Sequence, residues 1–132
     1  LVGVQGVLCV PHLGASTPEA EENCAVMAVR QLRAYLESGN IVNSVNFPTC
    51  QMDPSDNQRI LVANRNIPNM VGQITAILAG EQINIANLLN RHKDELAYNI
   101  IDIEGNIAGS ALAQLRAIDG VLFVRTIQPV IA

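Results

Sequence analysis

The second half of this sequence alternates strand and helix signals in a regular order, and that order constrains the fold more than any other feature. Short apolar runs with period-two alternation predict strands, and apolar residues at helical spacing after Pro68 predict a helix. The predicted elements are strand 60–63, helix 68–80, strand 83–91, strand 96–104, helix 107–118 and strand 121–127. This βαββαβ order is that of the α+β ferredoxin-like sandwich, with both helices on one face of a four-stranded antiparallel sheet. The other face is left to be covered, which favours self-association.

The first half has a looser pattern. Residues 6–10 form a continuous apolar run typical of a strand buried on both faces, and a compact turn follows. A long helix is predicted from Pro18 to Ser38, with Thr17 or Ser16 placed to cap its start. Residues 41–47 alternate and predict an edge strand, while residues 48–58 contain two prolines and no periodicity. We therefore divide the chain into segments 1–47, 48–58 (a linker) and 59–132.

The predicted long helix has an apolar stripe with little in the preceding residues to pack against. At about 1.5 Å per residue it is roughly 30 Å long. Its stripe must be covered by a missing part of the protein, by the second half of the chain or by another copy. The chain also begins at Leu1 rather than Met and continues at once as an apolar run. We expect it to be a piece of something longer.

Composition excludes several classes of function. Hydrophobic residues make up 49% of the chain and charged residues 15%, which is typical of a packed globular protein. A net charge of −4 and only 3% aromatic residues argue against a nucleic-acid partner. No apolar run reaches the roughly 18 residues of a membrane span. Three cysteines without C-x-x-C spacing indicate a reduced, intracellular protein.

His12 is the one candidate acid–base residue in the first half, because it follows the predicted buried strand and stands beside Gly14. The alternative is a turn histidine with a structural hydrogen bond. His12 and His92 lie far apart, and neither has a cysteine at metal-ligand spacing, so no metal site is predicted. The glycine-rich fingerprints for a dinucleotide or ATP, and the nucleophile motif G-x-S-x-G, are absent.

Asn64, Asn66 and Asn84 lie at or beside the junction between the first predicted strand and helix of the second half. Their amides can form turns and caps, which is the structural alternative. They can equally bind an amino acid, since amide oxygens accept from an ammonium group and a helix N-terminus suits a carboxylate. The spacing leaves both interpretations open.

Two stretches of the chain resemble a known family. Residues 11–17 (PHLGAST), the following Pro18-Glu19-Ala20-x-x-Asn23 and residues 43–48 (NSVNFP) closely resemble the end of the catalytic region of NAD-dependent D-2-hydroxyacid dehydrogenases. Residues 59–132 resemble an ACT domain, the small regulatory module that binds L-serine in many serine-pathway members. Together the two resemblances span nearly the whole chain, so segment 1–47 is expected to be the remnant of a catalytic region.

The first resemblance implies a role for three residues. His12 would be the general acid–base of hydride transfer, and Gly14 and Ala15 would lie near the nicotinamide of NAD. The family's paired carboxylate, substrate arginine and dinucleotide loop would precede Leu1. The resemblance therefore implies that this chain alone is inactive and binds no cofactor, and that the long helix crosses back to a substrate domain.

The second resemblance places the effector positions at Asn64, Asn66 and Asn84. Asn64 stands where serine-regulated relatives can carry a histidine, and Asn69 stands where the module usually has a glycine. A side chain at position 69 can crowd a ligand that approaches the backbone. Two hypotheses follow for a cytoplasmic protein: a module that pairs with another copy and binds L-serine, or a pure assembly module without an effector.

Overall fold

Three helices and four strands form in the part of the chain that the computed structural model describes, which is residues 1–10, 13–14 and 16–129. Their bounds, in chain order, are α1 Pro18–Ser38, β1 Gln58–Arg65, α2 Met70–Gly80, β2 Ile85–Lys93, β3 Leu96–Ile103, α3 Gly109–Ala117 and β4 Val121–Ile127. In this described part, no helix is long and apolar enough to cross a membrane.

The four strands form one sheet in the order β2-β3-β1-β4, and every neighbouring pair is antiparallel. With α2 and α3 added, the element order confirms the predicted βαββαβ sandwich. Period-two alternation sends every second side chain of β1 and β3 toward the helices. The resulting core contains Ile60, Val62, Ile74, Leu78, Ile101, Ile103, Leu115 and Val124.

Several element boundaries differ from the prediction, and two of these differences have a local backbone reason. Asn69 has φ 65° and ψ 14°, a left-handed conformation, so α2 begins at Met70 rather than at Pro68. The strand β2 runs to Lys93 rather than to residue 91, so the hairpin turn before β3 shrinks to two residues. Asp94 in that turn also has a positive φ, 52°, as a tight hairpin requires.

The second face of the sheet is covered by the chain itself. Tyr98 and Ile100 of β3 pack there with Leu61 and Ala63 of β1, against Ile41 and Cys50. Tyr35, Phe47 and Met52 pack on the same cluster. The sequence left this face to be covered and so favoured self-association, but residues 35–52 cover it within the same chain, without forming a helix or strand after Ser38. The open face is therefore no longer a reason to expect self-association.

The C-terminus of α1 is fixed to the sheet through the carbonyl groups of its last turn and of Gly39. The Tyr98 hydroxyl donates to the Gly39 carbonyl at 2.9 Å, and Arg59 Nη1 donates to the Ser38 carbonyl at 2.9 Å. Arg125 donates to the carbonyls of Tyr35 and Leu36. The last turn of α1 has no basic residue of its own. The sheet thus supplies the positive charge that a helix C-terminus favours.

Arg59 reaches that helix end from a buried ion pair. Its Nε donates to Asp102 Oδ1 at 2.7 Å and its Nη2 to Asp102 Oδ2 at 3.0 Å. Nη2 also donates to the Asp53 carbonyl at 2.7 Å. One guanidinium therefore joins β1, β3, the end of α1 and the segment 48–58. Through this contact the predicted linker is attached to the sheet.

Helix α1 forms as predicted, with the Thr17 hydroxyl capping its start by accepting from Ala20 N at 3.2 Å. The predicted strand at residues 6–10 is wrong: in the described residues no strand lies beside it, and Leu8 and Val10 are exposed. The predicted edge strand at 41–47 is also wrong, apart from a single bridge between Ile41 and Cys50. Among the described residues, Tyr35 of the predicted apolar stripe of α1 packs on the sheet, whereas Met27, Leu32 and Leu36 of that stripe are exposed. Val26 and Val29 of the same helix are exposed too.

Candidate functional site

The β1–α2 junction is tied to the tip of the β2–β3 hairpin by Asn66. Its backbone N–H donates to the Glu95 carbonyl at 2.8 Å, and its side-chain Nδ2 donates to the Asp94 carbonyl at 3.1 Å. The same Nδ2 lies 3.3 Å from Nδ1 of His92. Asn66 is exposed, and its Oδ1 faces no partner among the described hydrogen bonds. This oxygen is available to accept from a ligand.

Asn64 is placed differently, because it is 1% exposed on the helix-facing side of β1. Its Nδ2 donates to the Arg65 carbonyl at 2.7 Å, and its Oδ1 accepts from Asn99 Nδ2 at 2.8 Å. Both ends of the amide are therefore engaged inside the chain. The Asn64 side chain therefore stabilises the β1–α2 junction from inside the protein, through its hydrogen bond to the Arg65 carbonyl.

Two further asparagines extend this arrangement across the sheet. Asn99 is fully buried, and its Oδ1 accepts from Asn90 Nδ2 at 2.7 Å. Neither Asn90 nor Asn99 was singled out as a site residue from the sequence. The available signal was an amide at position 99 within an apolar alternation, at a place where Ile101 and Ile103 face the core.

Asn84 lies at the opposite end of the sheet from Asn64 and Asn66. It is exposed just before β2, and its Nδ2 donates to Glu104 Oε2 at 2.9 Å. The span from Asn84 to His92 is eight residues of strand, which is roughly 25 Å at about 3.3 Å per residue. A single chain therefore does not bring the three predicted effector residues together.

The start of α2 offers donors beside Asn66. Its first intrahelical bond runs from Gln73 N to the Asn69 carbonyl at 3.0 Å, so the N–H groups of residues 70–72 precede it. The side chain of Asn69 lies over this first turn, with Oδ1 against the α-carbon region of Gly72, where a β-carbon would collide with it. The crowding of a ligand by the Asn69 side chain stays a prediction.

The first-half candidates are less well defined. His12 and Ala15 lie outside the described residues, so their predicted roles stay predictions. Gly14 lies in an exposed turn with no atom within 4 Å of where a β-carbon would stand. The described residues do not fit a dinucleotide, because their sheet is antiparallel throughout and a dinucleotide site is built on parallel βαβ units. The described residues also contain no group of three or more side chains that could hold a metal ion.

Two titrating groups are strongly affected by the fold, and both lie on the second sheet face. Burial raises the pKa of Cys50 from 9.0 to about 11, with Arg91 opposing the shift. Burial also raises the pKa of Tyr98 above its ordinary value. Both groups are held neutral near pH 7, which suits packing and not acid–base chemistry.

A cavity of about 220 Å³ opens between the last turns of α1 and the second sheet face. It is mainly apolar and is lined by Gln31, Tyr35, Asn40, Ile41, Val42, Ser44, Phe47 and Phe123. None of the residues predicted from the sequence to bind a ligand lines it. The β1–α2 junction therefore remains the candidate site.

Comparisons with solved structures give matches under 25% identity. The ACT domain from GTP pyrophosphokinase of Chlorobium tepidum is 21% identical, with a TM-score of 0.47, over 55% of this chain and 100% of that one. A homoserine dehydrogenase from Thiobacillus denitrificans is also 21% identical, with a TM-score of 0.47, over 68% of this chain and 20% of that one. No protein-family model matches the sequence.

Comparisons with curated proteins give a more specific result. The D-3-phosphoglycerate dehydrogenase of Escherichia coli K12 is 31% identical over 121 residues, which cover 90% of this chain and 30% of that enzyme. The enzyme of Haemophilus influenzae is 30% identical over 92% of the chain, and D-3-phosphoglycerate dehydrogenase 2 of Saccharomyces cerevisiae is 32% identical over 78%. The chain spans about three tenths of the length of the bacterial relatives. It is therefore homologous to a region of the D-3-phosphoglycerate dehydrogenases.

Proposed function

We propose that residues 58–127 form a regulatory module that binds a small amino acid, with L-serine as the first candidate, between two copies of the chain. The observation that carries this proposal is the placement of two exposed amides, Asn66 and Asn84, near opposite ends of the edge strand β2. A strand that is paired on one side only can pair with a second copy of itself.

Antiparallel pairing of two β2 strands would bring the two amides together. The midpoint of Ile85–Lys93 is Leu89, so a symmetric pair centred there sets Asn84 opposite about residue 94 of the other copy. Residue 94 is at the hairpin tip, where Asn66 Nδ2 donates to the Asp94 carbonyl. The same pairing puts Arg91 opposite Asn87, and no pair of like charges meets. Two identical pockets would form, each with Asn66 from one copy and Asn84 from the other.

The groups around such a pocket suit a zwitterion. The Oδ1 atoms of Asn66 and Asn84 can accept from an ammonium group, and the free N–H groups of residues 70–72 can donate to a carboxylate. The Asn69 side chain over the first turn of α2 restricts the space and favours a small amino acid such as serine or glycine. Asn64 would not touch the ligand but would hold the backbone next to Asn66, through its hydrogen bond to the Arg65 carbonyl.

The proposal for the whole protein follows from its relatives. It would be a cytoplasmic, NAD-dependent D-3-phosphoglycerate dehydrogenase that oxidises 3-phosphoglycerate to 3-phosphohydroxypyruvate in L-serine biosynthesis. His12 stays the proposed acid–base residue, with Gly14 and Ala15 beside the nicotinamide. This chain alone would be inactive, since it matches only about 30% of the relatives' length. Serine binding at the paired modules would bias the orientation of the catalytic units by shifting a population.

Calorimetric titration of the chain with L-serine and glycine tests the regulatory proposal. We expect saturable heat with L-serine that is lost in Asn84→Ala and kept in Asn23→Ala, a matched change on the exposed surface of α1. No heat, and no change in melting temperature at millimolar ligand, would contradict effector binding.

A pure assembly module is the second candidate. The observation that favours it is the full engagement of the Asn64 amide inside the chain, together with the position of Asn69 over the start of α2. It predicts a pair of chains in sedimentation experiments that is unchanged by L-serine. A serine signal that is abolished by Asn84→Ala and preserved in Asn23→Ala would contradict the pure assembly module.

A further inference from the structure

A line of three amides crosses the helix-facing side of the sheet in one direction. Asn90 on β2 donates to Asn99 on β3 at 2.7 Å, and Asn99 donates to Asn64 on β1 at 2.8 Å. Asn64 then donates to the Arg65 carbonyl at 2.7 Å. We call Asn90, Asn99 and Asn64 the amide ladder.

The amide ladder stands in surroundings that would normally be apolar. Asn99 and Asn64 are 0% and 1% exposed. Each lies two residues along its strand, on the same face, from a residue of the apolar core: Ile101 for Asn99 and Val62 for Asn64. Buried amides are tolerated only when their donors and acceptors are paired, and a fully paired network rigidifies what it connects. Asn99 meets this condition with three bonds, since its Nδ2 also donates to the Val62 carbonyl at 3.2 Å.

The two ends of the ladder lie on the strand that would pair with a second copy and in the turn that contains Asn66. One end is Asn90 on β2, the edge strand that would pair with a second copy. The other end is the Arg65 carbonyl, which also accepts from Ile67 N at 2.9 Å and so holds the backbone turn before α2. Asn66, which would touch the ligand, is within this turn.

We propose that Asn99 is a positioning residue for amino-acid binding: it holds Asn64, which holds the 65–67 turn against the pairing strand. This inference rests on the proposed function and assigns a role to residues that do not touch the ligand. Without Asn99, the buried Oδ1 of Asn64 loses its donor. The Asn64 amide must then turn away to find another, and the Arg65 carbonyl is released.

The test compares Asn99→Leu, which keeps the side-chain size, with Gln58→Met as a matched control. Gln58 is a buried amide on the same face at the far end of β1, and its Oε1 accepts from Ile107 N at 2.7 Å. Both variants remove a buried amide from the same core, but only Asn99 connects to the 65–67 turn. Any general loss of stability is shared by the two.

Two readouts separate this inference from the proposed function. Amide hydrogen exchange of Asn66 and Ile67, measured without ligand, is expected to speed up at least about tenfold in Asn99→Leu relative to Gln58→Met. Calorimetry is expected to show L-serine binding roughly tenfold weaker in Asn99→Leu, equivalent to about 1.4 kcal/mol, with Gln58→Met near the unmodified chain. If Asn99→Leu does not fold, Asn90→Ala removes the first donor from an exposed position, and a smaller change in the same direction is expected.

Each outcome decides the inference. Unchanged exchange at Asn66 and Ile67 would overturn it, whether or not serine binds. Faster exchange with unchanged serine affinity would overturn it too, because the loosened turn would then have no effect on ligand binding. Failure of the unmodified chain to bind any amino acid would overturn the proposed function. The role of Asn99 in binding would then be overturned as well. The exchange data would still show whether Asn99 holds the 65–67 turn.

Discussion

Replacement of Arg59 by methionine tests whether one buried guanidinium holds α1 and the segment 48–58 on the sheet. Arg59 and Asp102 have side chains 5% and 1% exposed, and two hydrogen bonds of 2.7 and 3.0 Å join them. Methionine fills much of the same volume but leaves the Asp102 carboxylate buried with no cation. It also frees the Ser38 and Asp53 carbonyls, which now accept from Arg59.

The size of the effect follows from the burial of the pair. Removing one partner of a buried ion pair costs about 3–5 kcal/mol, because the remaining charge is uncompensated. A domain of this size is stable by about 5–15 kcal/mol, so Arg59→Met should lose a large share of the total. Removing both charges in Arg59→Met/Asp102→Leu should cost less than Arg59→Met alone, since no buried charge remains.

Urea unfolding of Arg59→Met, Asp102→Leu and the double variant measures these differences as a double-mutant cycle. Arg33→Met is the control, because the Arg33–Glu37 pair is exposed on α1 and should contribute about 0–1 kcal/mol. A loss below about 1 kcal/mol in Arg59→Met would refute the reasoning. So would a double variant that is less stable than Arg59→Met.

Four further predictions test other parts of the structure. Iodoacetamide at pH 8 should label Cys9 and Cys24, which are exposed, and spare Cys50. Burial raises the pKa of Cys50 from 9.0 to about 11. The stabilisation by its neutral thiol is therefore complete below about pH 9 and is lost as the pH rises through about 11. In Cys50→Val, the free energy of unfolding should fall less steeply with pH over that range. Tyr98→Phe removes the donor to the Gly39 carbonyl and should cost about 1–2 kcal/mol in urea unfolding, and an unchanged midpoint would contradict the account of the α1 joint. Asn69→Gly suits φ 65° and uncovers the first turn of α2, so calorimetry should show tighter L-serine binding without loss of stability; weaker binding would contradict the crowding argument.

The elements that could be predicted from the sequence are those with a period. Alternation along residues 96–104 placed Ala97, Asn99 and Ile101 on one face, and the structure has them there. The sequence offered Ser16 and Thr17 as caps for α1, and Thr17 is the cap, with Pro18 as the first helical residue. Such signals are local, and the packing of the sheet against α2 and α3 agrees with them.

The parts that could not be predicted depend on contacts without a period. Residues 39–52 form no helix or strand beyond a bridge between Ile41 and Cys50, yet Ile41, Phe47 and Met52 cover the second face. The apolar run at residues 6–10 has the composition of a buried strand but no neighbouring strand in the described residues. The amide ladder was hidden for a similar reason: a single asparagine in a strand does not reveal which amides lie across from it.

The central claim is that the pocket takes Asn66 from one copy and Asn84 from the other. It is tested most directly by mixing Asn66→Ala and Asn84→Ala chains after unfolding and refolding them together. Each variant alone should bind no L-serine. Random pairing makes about half of the pairs mixed, and each mixed pair has one intact pocket, so calorimetry should recover about one site per four chains. No recovery of binding in a mixture that sedimentation shows to be paired would contradict the shared pocket.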